Sequence, residues 1–478
     1  AVADYDEDGW LDFFVGHGKN GAGLLFKNNQ QGGFLNETQL SGIETSQRAR
    51  GGLFVDINGN GLEDLIVSEG QPDNIKVFRN SGSGYFEEIT ESTGLAQSGN
   101  TFSLAASDYD RDGDMDLTMG HWGKRPNSDR YTGYLWENRG AIFEDVTTVL
   151  PIPATKKTTI FVDPKEEEYL FTINFSDLNG DHIDDMVVSG DFKNSHYYIG
   201  SEEGLFTLMD SAVLTDENGM GAALGDYDND GDIDWFVTSV WNENPDFGLS
   251  AIGGSGNRLY NNSGAGLFSD VTEVAGVREG HWGWGACFSD FDNDGDLDLF
   301  HVNGFGDNDS PDDGVLTDYL NDPARFYDNN GDGSFTERAS ELGMSHTGQG
   351  RGVSCWDYDR DGDIDILIAN NGRSPSLFRN DRITGNHYVH ITLNGLPGNA
   401  HGVGAKVWVE SQGNTQLREI RLGSNYLSNN PTIAYFGLGD SVLIDSIRVE
   451  WPGTPNSVTT ERLNVSVDQM ITLQHPQL

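Results

Sequence analysis

The sequence runs to 478 residues, room for more than one domain. Hydrophobic residues make up 36%, glycines number 62 and the formal net charge is −47, which suits a turn-rich all-β protein of many short strands. That charge excludes polyanionic partners such as nucleic acid and anionic membrane surfaces, and no apolar run of about 18 residues marks a transmembrane helix.

The chain opens at Ala1 on a short apolar strand and enters the stretch DYDEDGWLD at Asp4. No signal peptide is visible and the start falls inside a repeat, so a mature or incomplete product is expected. The same nine-residue pattern returns as DINGNGLED from Asp56, DYDRDGDMD from Asp108, DLNGDHIDD from Asp177, DYDNDGDID from Asp226, DFDNDGDLD from Asp290 and DYDRDGDID from Asp357. Seven copies at periods of about 50 to 70 residues mark a repeat architecture.

Each copy places oxygen side chains at positions 1, 3, 5 and 9, with a turn residue at position 6. A hard cation such as Ca²⁺ takes six to eight oxygens, and alternate side chains plus one backbone carbonyl can supply them. The predicted ligands are Asp4, Asp6, Asp8 and Asp12 with Trp10 giving the carbonyl; Asp56, Asn58, Asn60 and Asp64 with Leu62; Asp108, Asp110, Asp112 and Asp116 with Asp114; Asp177, Asn179, Asp181 and Asp185 with Ile183. The later copies give Asp226, Asp228, Asp230 and Asp234 with Asp232; Asp290, Asp292, Asp294 and Asp298 with Asp296; Asp357, Asp359, Asp361 and Asp365 with Asp363. Up to seven Ca²⁺ are expected, one per repeat. The weakest sites are expected at the Asp56 loop, where two acids are Asn, and at the Asp177 loop, where His182 replaces the turn glycine and must take a left-handed backbone.

Each repeat reads as four strands. In the sixth, Trp282 to Asp290 enters the loop, Leu297 to Asn303 leaves it, and Ala324 to Asn329 and Ser334 to Ser340 follow. The third-plus-fourth cassette recurs as LLFKNNQQGGFLNET, KVFRNSGSGYFEEIT, YLWENRGAIFEDVT, YYIGSEEGLFTLM and RLYNNSGAGLFSDVT. Four antiparallel strands, seven times, predict a seven-bladed β-propeller over residues 1–384, whose radial closure hides the sheet edges. The last repeat lacks a fourth-strand cassette. Its outer strand is expected from residues preceding Ala1, from the C-terminal segment, or from another molecule by strand addition, which would build an assembly or filament.

The loops and cassettes resemble the FG-GAP/VCBS repeat family, whose propeller repeat also occurs in integrin α subunits. The resemblance implies structural calcium on one face of the disc. From about Gly385, alternating strands without acidic loops predict a small β-sandwich-like domain, residues 385–478. Here GVGAKVWV, LREIRLGSNYLSNN, YFGLG and SIRVEWPG resemble the ASPIC/UnbV domain, which commonly follows such repeats in bacterial secreted proteins and in relatives of cartilage acidic protein.

Cys287 and Cys355 lie at offsets −3 and −2 from their loops. Strand side chains alternate faces, which puts them on opposite faces of their sheets and predicts two buried thiols rather than a disulfide. On the face opposite the metal loops, the long connections bring His121, Trp122, Arg125, Trp241, His281, Trp282 and Trp284. Aromatic faces with nearby polar groups suit a sugar ring or a partner's apolar patch. The competing expectation is that Trp282 and Trp284 pack between blades. No phosphate loop, HExxH helix or GxSxG elbow is present, so catalysis by His121, Arg125 or His281 ranks third. The expected role is binding or adhesion to a glycan or an extracellular protein, in a secreted or cell-surface location, with the periplasm an alternative. A structural subunit of an extracellular assembly is the second reading.

Overall fold

The computed structural model describes residues 1–18, 21–70, 75–97, 99–124, 133–151, 167–210, 212–243, 254–306, 319–423, 425–453 and 458–478. The fold is all-β. Strands up to Phe378 form consecutive antiparallel units, one per acidic loop, each running outward in chain order. The sixth unit pairs Gly283–Ser289, Asp298–Asn303, Arg325–Asn329 and Phe335–Glu337 in that order. The second-strand residues after each acidic loop are buried on both faces, as Asp64–Glu69 shows throughout its length.

One connection differs from the sequence reading, and the last repeat shows the three strands that reading gave it. His121 and Trp122, expected in a long connection, lie instead on the strand Asp116–Lys124. Its end pairs with Glu167–Ser176 of the next unit, Trp122 opposite Tyr169, so the third and fourth units share one eight-stranded sheet. The last unit has three strands, Gly350–Trp356, Asp365–Asn370 and Ser376–Phe378. Among the described residues the C-terminal segment does not add a fourth strand to it.

Apolar side chains between neighbouring units close the units into a propeller-like ring. Phe14 packs with Phe54, Val55 with Leu104, Tyr109 with Phe175, and Leu178 with Trp235. Phe236 joins Leu299, Phe300 joins Val353, and Phe13 joins Trp356 across the first and last units. Each fully buried aromatic or aliphatic side chain contributes about 1.5–3 kcal/mol.

A repeated polar contact reinforces the ring. The third strand ends in an asparagine whose side-chain amide donates to the carbonyl at loop position 2 of the preceding unit. Asn80 reaches Tyr5 at 2.8 Å, Asn138 Ile57 at 2.9 Å, Asn262 Leu178 at 2.7 Å, Asn329 Tyr227 at 2.9 Å, and Asn380 Phe291 at 2.7 Å. Asn28 does the same to Tyr358 of the last unit. The fourth unit carries Gly200 at this position and has no side chain to make the contact; it is the unit whose sheet is continuous with its neighbour.

Cys287 and Cys355 are disulfide-bonded, with Cα atoms 6.8 Å apart. This overturns the expectation of two thiols. The alternation argument holds within one sheet, but these residues sit on the inner strands of adjacent units. There, opposite faces of two sheets are the surfaces that meet.

The C-terminal segment forms a sandwich. One sheet holds Tyr388–Asn394 between Ile433–Gly437 and Gln469–Gln474; the other holds Asn414–Glu419, Lys406–Ser411, Leu443–Glu450 and Thr459–Ser466. Val389, Val407, Phe436, Ile447 and Trp451 fill the space between them. The strand Thr459–Ser466 was missed from sequence because it is an edge strand, mostly exposed, with no apolar alternation.

The sandwich projects a loop into the axis of the ring. The amide of Ala106 donates to Leu422 at 2.8 Å, Asn425 Nδ2 to Val353 at 2.8 Å, and Asn429 Nδ2 to Gly52 at 2.7 Å. Val353 N donates to Ser428 Oγ at 3.0 Å, and Cys355 N to Asn430 Oδ1 at 2.9 Å. At its tip Tyr426, 2% exposed, meets the rings of Phe102, Phe171 and Trp284. The inner strands of several units thus grip one plug.

Candidate functional site

The seven acidic loops share one local design. The residue at position 6 turns left-handed: Gly9, Gly61, Gly113, Gly231, Gly295 and Gly362 all have positive φ, and His182 reaches φ 63° in the fourth loop. Its N–H then points back at the first carboxylate: Gly9 to Asp4 at 2.8 Å, Gly113 to Asp108 at 3.1 Å, His182 to Asp177 at 3.0 Å, Gly295 to Asp290 at 2.8 Å. The position-9 carboxylate is buried beneath the loop and accepts from the third strand, as Asp12 does from Asn28 N at 2.7 Å and Asp365 from Asn380 N at 2.8 Å. A carboxylate at each end thus pins the loop to its own sheet.

The remaining oxygens converge. Ligand atoms of Asp4, Asp6 and Asp8 lie within 4.8 Å of one another, as do those of Asp108, Asp110 and Asp116, of Asp226, Asp228 and Asp230, and of Asp290, Asp292 and Asp294. Several have no hydrogen-bond partner although buried: Asp12 Oδ2, Asp108 Oδ1, Asp116 Oδ2, Asp226 Oδ1 and Asp359 Oδ1. Burial, with like charges nearby, pushes Asp108, Asp226 and Asp357 up to about 7, Asp12, Asp290 and Asp365 to about 8, and Asp116 to about 9. Unpaired buried carboxylate oxygens at such separations cost energy unless a cation joins them. This donor set of hard oxygens fits Ca²⁺.

The two departing loops are partly satisfied by donors of the protein itself, one of them from the sandwich. Asn58 Nδ2 donates to Asp64 at 2.9 Å. In the fourth loop the Lys406 ammonium of the sandwich meets Asp177 Oδ2 at 2.8 Å and the Asp177 carbonyl at 3.2 Å, while Asn179 donates to Asp181. The position-7 residues Trp10, Leu62, Asp114, Ile183, Asp232, Asp296 and Asp363 all fall where their loops turn into the second strands.

The sandwich sits on this face. Gly437 N donates to Asp290 Oδ2 at 3.1 Å, Gly439 N to Asn293 O at 2.8 Å, and Asn386 Nδ2 to Asp292 O at 2.9 Å. The Arg418 guanidinium is buried in the field of Asp290, Asp226 and Asp296. Sequence reading placed the loops on one face but did not foresee a domain seated on them.

The opposite face divides the predicted ligand residues. His121 is wholly buried, with Nδ1 at 3.2 Å from Thr101 Oγ1 and Nε2 at 2.8 Å from the Gly133 carbonyl, so both ring nitrogens serve the fold. Trp282 stacks on Phe305 at 4.0 Å, and Trp284 donates from Nε1 to Gly304 O at 2.8 Å. At 8% and 6% exposure neither tryptophan has a face free for a ligand, which corrects their assignment as ligand residues in favour of packing. Trp122 is half-buried, donates to Asp191 at 3.1 Å and stacks on Phe171. Trp241 is half-buried, and His281 is exposed with Nδ1 at 3.0 Å from Asp322. Arg125 lies outside the described residues.

Sequence reading missed two residues at this face. Arg50 and Arg351 each stand six residues before their loop's first Asp. Arg50 lies over the Phe102 ring at 4.1 Å and Arg351 over Trp284 at 4.3 Å. Arg50 donates to Asn100 Oδ1 and Thr101 O, and Arg351 to the carbonyls of Gly304, Gln349 and Gly350. Among the described residues neither has a carboxylate partner. Burial pushes the Tyr426 hydroxyl at the tip of the plug up, and the charges of Arg351 and Arg50 oppose that rise.

Comparison with known proteins agrees with this geometry. The model for the FG-GAP-like repeat matches residues 4–67, 56–118, 177–237 and 244–301, and the model described as ASPIC and UnbV matches residues 395–478. Cartilage acidic protein 1 of Mus musculus is 26% identical over 290 residues, covering 57% of this chain and 41% of that protein. The Homo sapiens protein is 27% identical over 246 residues, covering 41% and 37%. The chain thus spans about two fifths of the length of these relatives. Among solved structures, an Agrocybe aegerita lectin described as recognising non-reducing terminal N-acetylglucosamine aligns with a TM-score of 0.41 at 16% identity, over 70% of this chain and 78% of that one. The rhamnogalacturonan lyase YesW aligns at 0.39 and 12%, over 79% and 70%. Six of the seven repeated loops and the sandwich behind them are matched by these models, which makes the chain a member of the FG-GAP-like repeat proteins that carry a C-terminal ASPIC and UnbV domain, homologous to cartilage acidic protein 1.

Proposed function

We propose that the chain is an extracellular, calcium-stabilised seven-bladed propeller that binds a glycan or a protein through the face opposite its metal loops. In this reading Ca²⁺ is structural: it holds the convergent carboxylates of each loop and has no role at the binding face. The observation that carries the binding reading is the pair Arg50 and Arg351. In a chain of net charge −47, two half-buried guanidinium groups lack acidic partners among the described residues, each stacked on an aromatic ring. Their free N–H groups suit carboxylate or sulfate, and the aromatic rings beside them suit a sugar or an apolar side chain. The Cys287–Cys355 disulfide supports an oxidising compartment. No helix among the described residues is long and apolar enough to cross a membrane.

A glycan array containing uronic-acid and sulfated sugars, together with pull-down from extracellular matrix, tests this. Binding that falls more than tenfold in Arg351→Met or Trp241→Ala supports the reading; binding unchanged in both removes it.

A second reading, self-association, is favoured by the open edge of Ser376–Phe378, where Leu377 is 37% exposed and no described strand pairs on its outer side. Light scattering on the wild type and Leu377→Pro separates the two: only an edge-paired oligomer would dissociate in the variant.

A further inference from the structure

We propose that one residue outside the acidic loop, the third-strand side chain directly before the inter-unit asparagine, adjusts the cation affinity of the loop wherever it reaches the loop's carboxylates. Glu137 acts as an added ligand of the Asp108 loop, and Lys27 as a built-in competitor in the Asp4 loop. The proposal rests on the calcium reading above and adds to it an order of affinities that the nine-residue motif does not contain.

The position is occupied by Lys27, Arg79, Glu137, Ile199, Asn261, Asp328 and Arg379 in chain order. Where the asparagine beside it is anchored to the position-9 carboxylate, this side chain can reach the loop from the third strand, as it does in the first, third and fifth units, whereas Arg79 turns to Glu87 and Arg379 to Asp381. Asn261 shows the reach: its Nδ2 donates to Asp228 Oδ2 at 2.9 Å.

At the third loop the residue is acidic. Ligand oxygens of Asp110, Asp112 and Glu137 lie within 4.8 Å of one another. One Glu137 oxygen meets the exposed Arg139 at 3.0 Å. Beneath them Asp116 is wholly buried and its Oδ2 has no partner; Asp108 Oδ1 has none either. Glu137 therefore joins Asp110 and Asp112 beside the Asp108, Asp110 and Asp116 triad, adding a carboxylate to the four in the motif.

At the first loop the residue is a cation. The Lys27 ammonium contacts Asp6 and lies 2.9 Å from Asp8. These are the carboxylates at positions 3 and 5, which a divalent ion must claim. The Asp4 loop has a full set of four aspartates, and sequence alone ranks it with the strongest. With Lys27 in place its net charge falls by one, and an entering ion must displace an ammonium.

The sixth loop shows why sign alone does not suffice. Asp328 is acidic, but Arg338 at 2.7 Å and Arg382 at 3.5 Å engage it, and Arg382 also meets Asp292 at 3.0 Å. Its charge is cancelled locally. A unit charge about 5 Å from a divalent ion in a water-like dielectric changes affinity by roughly tenfold. The Asp108 loop is therefore the tightest of the seven, and the Asp4 loop ranks below the other four-aspartate loops.

The test is cation titration of the metal-free chain. Trp10 lies within the first loop, while Trp235 and Trp356 border the fifth and seventh loops and Trp408 approaches Gly231 of the fifth, so the part of the tryptophan-sensitised Tb³⁺ emission that is lost in Trp10→Phe reports the first loop. Lys27→Met is expected to lower its Tb³⁺ midpoint about tenfold, with Lys27→Gln doing the same and Lys27→Arg leaving it within about twofold. In calorimetry with Ca²⁺, Glu137→Gln is expected to weaken the tightest class about tenfold. An unchanged midpoint in both uncharged Lys27 variants, or an unchanged tight class in Glu137→Gln, overturns the proposal. A wild-type chain that takes up neither ion refutes the calcium reading itself. Wild-type binding with unaltered variants refutes only the role of the third strand.

Discussion

The side-chain amide of Asn28 donates to the main-chain carbonyl of Tyr358 at 2.9 Å, joining residues 330 positions apart. It is the same contact that binds most neighbouring units, made here between the first repeat and the last. Both partners are buried from water, so losing the donor leaves a carbonyl without its partner.

Asn28→Ala is accordingly expected to lower unfolding free energy by about 1–3 kcal/mol. Asn28→Asp should cost at least as much, since it sets a carboxylate against the Tyr358 oxygen. Urea unfolding with Ca²⁺ present measures both. Equal midpoints for wild type and variants would show that the ring closes without this contact.

Calcium removal should lower the melting temperature more than any single substitution. A cation that binds only the native state adds about 2.7 kcal/mol per site at a hundred times its Kd, and several loops act together. Scanning calorimetry in EGTA against millimolar Ca²⁺ reads the difference. Identical melts would mean that the orphaned oxygens of Asp12, Asp116 and Asp226 find no ion.

The disulfide closes a span of 68 residues between two inner strands. Replacing both cysteines by alanine should cost about 2–5 kcal/mol, and a reductant should bring the wild type to the variant's melting temperature. A variant as stable as the oxidised wild type would show that the apolar contact between the two units suffices.

Acid should act through His301. It is wholly buried, accepts from Asn257 Nδ2 at 3.2 Å, and burial, with Arg325 nearby, pushes its pKa down to about 3. The folded value lies below the unfolded one, near 6.5, so the unfolded chain binds the proton first. The stability of the neutral ring is complete above about pH 6.5 and is lost progressively toward pH 3. Between pH 7.5 and 5 the loss is about 2 kcal/mol. Comparing wild type with His301→Gln isolates it: the variant's stability should fall less over this interval, and parallel curves would count against the assignment.

The acidic loops were legible because their chemistry is local. Nine consecutive residues set carboxylates and turn at fixed offsets, and Asp290 to Asp298 carries the same geometry in sequence as in space. The third and fourth strands were legible from their alternation. The ring-tying asparagines stood in plain view, since the cassettes end their third strand in Asn at six of seven positions, but a single repeat gives that residue no partner. Trp284 was misplaced for a similar reason. It stands six residues before Asp290, as Phe102 does before Asp108 and Phe171 before Asp177, and this shared offset marks side chains that meet around the axis. The plug lay within the motif LREIRLGSNYLSNN, but nothing there marked its place: Asn425 to Asn430 have neither period nor charge, and their partners lie up to 377 positions away.

That plug also orders events in time. Its residues follow all seven repeats in the chain, so a ring assembling during synthesis has a hollow axis until the sandwich emerges. The aromatic lining around Tyr426 is then wet and accessible to chaperones or proteases, and pairings over such sequence distances are slow to form. Completion of the axis therefore waits on a segment that is translated only after the repeats it fills.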